Sequence, residues 1–321
     1  MTSNEQKLAL TVSRVRDLTP RIRAYELRST TGEELPLVTA GSHIAIPVQL
    51  ADGKTDVRHY SICSNPNQRE FYEIAVLLED NSRGGSQFIY NHFQTGTQIE
   101  CALPTNNFHL HADASPAVLI AGGIGITPIM AIAHTLALRG RRFTLHYAGR
   151  HKKDMAFVPE LENNFPRSLF FYDADEGKRL DLMNLLGDAT SNTLFYACGP
   201  QKMLDDIETS ARLLCIAKDR IQIEHFSAPG SEQDTPLLLE LAYSNKLIKV
   251  NANQPLLNAV RDAGVEVKFD CCVGDCGSCA VKVLEGEAEH RDHVLSDSQK
   301  SQGYMCLCVS RAKGEKLVIA L

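Results

Sequence analysis

The chain has 321 residues and a formal net charge of −6, with 44% hydrophobic and 22% charged residues. That is the composition of a globular protein of two or three domains, and its acidic balance excludes a general attraction to nucleic acid. No apolar run is long enough to span a bilayer, and the first residues lack the apolar core of a secretory signal, so the expected home is a reducing cytoplasm, where clustered cysteines serve metal or redox roles.

From about Leu8 to Leu110 short alternating runs are broken by turn residues, as in Leu8–Val12, Ile22–Leu27, His43–Val48 and Tyr72–Val76. Strands at this spacing predict a small antiparallel barrel, with an Asp-Gly turn at Asp52-Gly53. On a strand at Arg58-His59-Tyr60-Ser61, Arg58 and Tyr60 share one face. An arginine beside an aromatic suits an anionic phosphate next to a flat ring, although alone the pattern more often means a surface Arg beside a core Tyr. Asn81-Ser82-Arg83-Gly84-Gly85-Ser86 reads as a glycine turn opening a helix, with Ser86 as the expected N-cap. Free N–H groups at a helix start bind anions, and Arg83 adds charge.

Ala117–Ala121 is a continuous apolar run, the mark of a strand buried on both faces. It enters Gly122-Gly123-Ile124-Gly125-Ile126-Thr127-Pro128, and a helix is expected from Ile129 to Leu138. Thr127 suits the N-cap, Pro128 the first helical position and Gly140 the stop. Strand, glycine turn and helix form a nucleotide-binding arrangement, though these glycines lack the G-x-G-x-x-G spacing. Further strands are expected at 142–147, 168–172, 192–197 and 221–226, with helices near 156–163 and 201–215. Five parallel strands with crossover helices make a doubly wound sheet. Ligands bind beyond the carboxyl ends of such strands, where the glycine turn, Asp173 and Cys198-Gly199-Pro200 fall. Cys198 reads as a small group lining a pocket rather than a nucleophile.

Residues 228–236 have linker composition. Two strands, 237–243 and 246–250, are joined by a turn at Ser244-Asn245. A short helix follows, with Leu256, Leu257 and Val260 inward and Gly264 as its stop. The order fits a small β-grasp domain. The loop Asp270-Cys271-Cys272-Val273-Gly274-Asp275-Cys276-Gly277-Ser278-Cys279 then carries Cys271, Cys276 and Cys279 at the plant-type [2Fe-2S] spacing. Cys272 fits that spacing less well than Cys271, and a zinc site would call for a second C-x-x-C pair. The fourth thiolate is Cys306 or Cys308, and spacing alone leaves both open. The remaining cysteines, Cys63, Cys101, Cys198 and Cys215, read as buried small hydrophobes.

With these pieces placed, the chain resembles the phthalate dioxygenase reductase family, to which the vanillate demethylase and carnitine monooxygenase reductases belong. The resemblance rests on Arg58-His59-Tyr60-Ser61, Arg83-Gly84-Gly85-Ser86, the turn from Gly122 to Pro128, Cys198-Gly199-Pro200, Glu224-His225-Phe226, the cysteine loop, Glu289-His290-Arg291-Asp292 and Cys308-Val309-Ser310-Arg311-Ala312. It implies a flavin-binding antiparallel β-barrel at 1–111, an NAD(H)-binding doubly wound α/β domain at 112–228, a linker at 229–236 and a C-terminal ferredoxin domain at 237–321. It also implies that Arg58, His59, Tyr60, Ser61, Ala75 and Val76 hold the flavin, with Ser61 at its reactive edge, and that Gly84, Gly85 and Ser86 receive its phosphate. Gly123, Thr127, Cys198 and Gly199 would border the nicotinamide, Phe226 would cover the flavin, and Arg150 and Asp173 would meet the adenosine end. The implied cofactors are FMN ahead of FAD, NADH ahead of NADPH, and a [2Fe-2S] cluster on Cys271, Cys276, Cys279 and Cys308. Arg150-His151-Lys152-Lys153 is basic enough to welcome a 2′-phosphate. The implied activity is hydride transfer from NADH to the flavin, then single electrons through the cluster to the Rieske centre of a separate oxygenase, met transiently by a monomeric reductase. An electron carrier without its own NADH oxidation and a stand-alone flavin reductase or oxidase are the rival readings.

Overall fold

The structure is a computed structural model that describes residues 7–50, 53, 55–79, 84–227, 234–252 and 254–321. The Asp-Gly turn except Gly53, the segment 81–83 with Arg83, and most of the linker lie outside the described residues. The chain packs into two units, Met1–Glu224 and His225–Leu321.

The first unit opens with β1 (Lys7–Thr19), β2 (Ile22–Ser29), β3 (Ser42–Gln49), β4 (Thr55–Ser61) and β5 (Tyr72–Leu77), then α1 (Gly85–His92), β6 (Gln98–Ala102) and β7 (Thr105–Asn106). Two antiparallel sheets form, ordered β5-β2-β1-β6 and β4-β3-β7, and a bridge between Ile62 and Ile74 joins them. Alternation sends Leu10, Val12, Tyr25 and Leu27 from one sheet, and Ile44, Ile46 and Val48 from the other, into a common core. This is the expected barrel.

The chain continues with β8 (Ala117–Gly122), α2 (Ile126–Leu138), β9 (Phe143–Gly149), α3 (Val158–Asn164), β10 (Leu169–Asp173), α4 (Leu182–Gly187), β11 (Leu194–Cys198), α5 (Gln201–Leu213) and β12 (Ile221–Glu224). The sheet order is β10-β9-β8-β11-β12, with every pairing parallel. Strand order reverses between β8 and β11, so the crevice of a doubly wound sheet opens there. All of β8 is buried, as its apolar run requires. α2 ends as expected: Gly140, at φ 61°, lets Arg141 N–H reach the Leu136 carbonyl and its own N–H the Ala137 carbonyl.

Barrel and sheet share one core inside this unit. Ile22, Ala24, Cys63, Ala75 and Phe108 pack in the same cluster as Ile126, Ile129, Met130 and Tyr196. Arg16 of β1 bridges Glu73 of β5 at 2.8 Å and Glu160 of α3 at 2.7 Å. At the expected boundary near residue 111, Arg141 donates to the carbonyls of His111 and Ser115 at 2.8 and 2.7 Å.

The second unit contains β13 (Leu237–Leu241), β14 (Lys246–Val250), α6 (Leu256–Asp262), β15 (Ala280–Glu285), β16 (Ala288–Glu289), α7 (Asp297–Ser301), β17 (Tyr304–Cys306), β18 (Arg311–Ala312) and β19 (Lys316–Ile319). Its mixed sheet runs β14-β13-β19-β15-β17, with β13 and β19 parallel and the other neighbours antiparallel. Leu256, Leu257 and Val260 of α6 are buried against it, and Gly264 stops the helix at φ 72°. No helix among the described residues is long and apolar enough to cross a membrane.

Several local expectations shift. The first helix starts at Gly85, with Gly84 in the left-handed region (φ 99°) as its cap, so Ser86 lies inside the helix rather than capping it. Thr127 is likewise inside α2, because the glycine turn Gly123–Gly125 is itself a 3-10 turn that feeds straight into the helix. β12 ends at Glu224, short of Phe226. The six-residue α4, too short to leave a strong periodic pattern, was not expected. Cys63, Cys101 and Cys198 are buried, but Cys215 is exposed in a left-handed turn after α5 (φ 53°).

Candidate functional site

The first cradle lies where β4 meets α1. A Cβ built on Gly85 would stand 2.6 Å from Arg58 Nε, so the guanidinium lies directly over the helix start. Among the described residues no side chain caps α1, and the start of a helix suits an anion. Arg58 is steadied by Asp56 Oδ2 at 2.6 Å and the Val57 carbonyl at 2.9 Å. Ser86 Oγ accepts the Glu79 N–H at 3.4 Å. Burial pushes the Tyr60 hydroxyl well above its usual range. His59 packs edge-on to His43, with ring centroids 5.2 Å apart, and Ser61 is buried opposite His43 in the β3–β4 register. Ala75 and Val76 alternate, Ala75 into the core shared with the parallel sheet and Val76 into the barrel core. The arrangement fits a phosphate carried by a flat ring.

The second cradle is at the strand reversal. A Cβ on Gly125 would stand 2.2 Å from the Cys198 carbonyl oxygen, and one on Gly199 would stand 3.0 Å from Gly122 Cα. These glycines allow the β8 and β11 turns to stack backbone on backbone. Gly123 is different: at φ 54° its missing Cβ points into open space. Its carbonyl accepts the Tyr147 hydroxyl at 3.0 Å, and that hydroxyl accepts the Ala156 N–H at 3.0 Å. Sequence reasoning missed Tyr147; its only signal was a polar-tipped aromatic on a strand beside the turn. Thr127 donates its hydroxyl to the Ile124 carbonyl at 3.0 Å, which holds the turn from within. Cys198 is fully buried at the end of β11.

Asp173, at the end of β10, accepts N–H groups from Lys152 at 2.8 Å, Asp175 at 3.0 Å and Glu176 at 3.4 Å. The bond from Lys152 leads in holding its carboxyl below the usual range. Of the basic run, His151 pairs with Asp175 and Lys152 with Glu162, each at 2.7 Å. Arg150 and Lys153 are exposed, and neither forms an ion pair among the described residues.

The cysteine loop belongs to the second unit. Gly274 (φ 89°) and Gly277 (φ 74°) turn it, and a Cβ on Gly274 would stand 3.1 Å from Asp292 Cα. The Asp275 N–H points at Cys271 Sγ (3.4 Å) and the Ser278 N–H at Cys276 Sγ (3.5 Å). The sulfurs of Cys279 and Cys308 stand 3.3 Å apart. Hydrogen bonding from Cys271 holds the Cys276 thiol below its usual range, and hydrogen bonding from Cys306 and Cys308 does the same for Cys279. Cys271, Cys306 and Cys308 are pushed up as the proton-holding partners. Such a crowd of soft donors around a glycine-turned loop fits an iron–sulfur core, which takes deprotonated thiols. Cys272 is in the left-handed region (φ 59°), and Cys306 is buried opposite Ala280 in the β15–β17 pair. Asp292 braces the loop from behind, accepting the Leu295 N–H at 3.0 Å and the Ser310 hydroxyl at 3.3 Å. That contact joins the segments Glu289–Asp292 and Cys308–Ala312. Phe226, in this unit, is 41% exposed.

Comparison with known proteins agrees with this division. The family described as "Oxidoreductase FAD-binding domain" matches residues 9–110, and "2Fe-2S iron-sulfur cluster binding domain" matches 240–313. The chain is 38% identical over 314 residues to the heme-dependent oxidative N-demethylase beta subunit of Ectopseudomonas mendocina, covering 98% of this chain and 99% of that one. It is 36% identical over 323 residues to the carnitine monooxygenase reductase subunit of Escherichia coli, covering 99% and 100%. Among solved structures it is similar to phthalate dioxygenase reductase, described as a modular structure for electron transfer from pyridine nucleotides to [2Fe-2S], with a TM-score of 0.78, 32% identity and 98% of each chain covered.

Proposed function

The chain belongs to the phthalate dioxygenase reductase family, and on that premise we propose that it is the NADH-oxidising reductase component of a two-part oxygenase, using FMN and a [2Fe-2S] cluster. It is an oxidoreductase and a flavoprotein of the electron-transfer type. The observation that carries the reading is the thiol-crowded loop of Cys271, Cys276, Cys279 and Cys308, held in a chain that also carries an anion cradle and a nucleotide-type sheet edge.

A flavin held here would supply the conversion of a two-electron hydride donor into single electrons, which a [2Fe-2S] cluster on the cysteines would need. The chain's own residues bind and orient. Arg58 and the N–H groups of Gly84, Gly85 and Ser86 hold the flavin phosphate, while His59, Tyr60 and Ser61 line its ring and Ala75 and Val76, whose side chains are in the core, offer it backbone alone. Gly123 offers the nicotinamide a side-chain-free surface, with Thr127, Cys198 and Gly199 shaping the turn around it. Asp173 holds the loop that presents Arg150 to the adenosine end. Modules at 1–111, 112–228 and 237–321 divide these tasks. The acceptor is the Rieske centre of a separate oxygenase, met through a small, short-lived contact. Its docking surface lies at the cysteine loop, where Ser278 is exposed and the Asp275 carboxylate is turned inward.

A haem-containing oxygenase is the second reading of the partner, favoured by the 38% identity to a subunit of a heme-dependent demethylase. One experiment tests the reductase reading. The protein is purified anaerobically, its flavin is identified after acid release, NADH and NADPH are added in separate titrations, and cytochrome c reduction is followed. FMN release, bleaching at lower NADH than NADPH and cytochrome c reduction are expected. Absence of a flavin band, or no bleaching with either nucleotide, overturns the reading.

A further inference from the structure

We infer that His225 is a positioning residue for the iron–sulfur loop, acting through Asp275; the inference rests on the cluster reading above. Asp275 lies between Gly274 and Cys276, and its N–H is the group aimed at Cys271 Sγ. Its carboxylate oxygen Oδ2 accepts twice from one residue, the His225 backbone N–H at 3.3 Å and His225 Nδ1 at 3.1 Å. A carboxylate only accepts, so Nδ1 carries the proton. His293 closes the arrangement from the other side: its ring lies flat on His225, with centroids 4.2 Å apart and planes 3° from parallel, and its N–H donates to the Gly274 carbonyl at 3.2 Å. The Gly274–Asp275 segment is therefore gripped at its carbonyl and at its carboxylate.

Ligand atoms of His225, Asp275 and His293 lie within 4.8 Å of one another, as a cation site would need. The geometry argues for a brace instead. Imidazole lone pairs lie in the ring plane, and two parallel rings send them side by side rather than to one point. The side chains of His225 and Asp275 are only 4% and 14% exposed. His225 Nε2 and Asp275 Oδ1 are buried without a hydrogen-bond partner among the described residues. Leaving such atoms unpaired is costly, and the two bonds to Asp275 Oδ2 and the ring stacking offset that cost.

The consequence falls on the cluster. Its reduction potential depends on nearby charge, hydrogen bonds to sulfur and exposure, and outer groups that orient the ligands tune it. The His225 bond spreads the Asp275 charge away from Cys276 and keeps the Asp275 N–H on Cys271. Loss of that bond favours the oxidised, less negative cluster.

The test uses the full-length protein with its cluster and compares two polar replacements. His225→Asn keeps a donor near the Nδ1 position, whereas His225→Gln moves it to the Nε2 position. Asn is expected to match wild type in midpoint potential and in the EPR spectrum of the reduced cluster. Gln is expected to lower the reduced-to-oxidised ratio about tenfold at fixed ambient potential, about 59 mV for one electron. Asp275→Asn, which removes the charge, is expected to shift the potential the opposite way. Equal potentials in both His225 variants, whether unshifted or shifted alike, overturn the inference, as does loss of iron from the Asn variant. A wild-type protein without iron and sulfide overturns the cluster reading itself, and the inference with it.

Discussion

Gly125 and Cys198 touch backbone to backbone: a Cβ on the first would stand 2.2 Å from the carbonyl oxygen of the second. Two strands adjacent in the sheet but far apart in sequence meet there. Gly125→Ala forces that overlap into a buried turn and is expected to cost about 1–3 kcal/mol in stability of the first unit, with NADH oxidation slowed at least in proportion. Thermal unfolding and stopped-flow flavin bleaching check it. An alanine variant that melts with wild type would show that the turn yields freely.

Arg58 over Gly85 gives a second prediction. Removing a hydrogen bond to a charged group costs about 1.5–3 kcal/mol, so Arg58→Ala is expected to weaken flavin retention by about ten- to a hundredfold. Arg58→Lys is expected to fall between, since an ammonium lacks the guanidinium fork. Flavin fluorescence released on dilution measures both. Equal retention in the alanine variant would remove Arg58 from the phosphate cradle.

His146 makes the first unit sensitive to acid. Buried between the Tyr172 hydroxyl at 2.8 Å and Thr144 Oγ1 at 3.0 Å, it is lowered by burial to about 4. Between that value and the ordinary 6.5 the unfolded chain takes up a proton that the native chain refuses. The stability is therefore whole above pH 6.5 and is lost as pH falls toward 4, by up to about 3 kcal/mol. Denaturant unfolding from pH 7.5 to 4.5 measures the slope, and His146→Gln is expected to flatten it.

Cys308→Ser is expected to abolish the cluster's visible and EPR signals while NADH still bleaches the flavin, and Cys306→Ser is expected to keep most of its iron. Iron and sulfide analysis decides between them; the reverse pattern makes Cys306 the fourth ligand. Stripping the iron by chelation is expected to lower the melting temperature of the second unit alone, because metal binding there contributes to folding.

Local chemistry wrote much of this protein directly into its sequence. The all-apolar Ala117–Ala121 could only be a strand buried on both faces, and it is. Gly140 and Gly264 stop their helices where a left-handed residue is needed, and the inner face of α6 was legible from spacing. Cys271, Cys276 and Cys279 announced a cluster loop because short-range spacing sets how a loop can wrap. Tertiary structure alone decided the rest. The common core of barrel and parallel sheet joins Ala24, Cys63 and Ala75 to Ile129 and Met130, and no local pattern marks a strand face that meets a distant helix. Thr127 and Ser86 read as caps, yet the left-handed Gly84 starts α1 and the 3-10 turn Gly123–Gly125 runs straight into α2, neither with a side-chain cap among the described residues. The pairing of His225 with Asp275 spans fifty residues. A lone histidine and an aspartate beside a cysteine carry no spacing rule, so only the folded chain could bring them together.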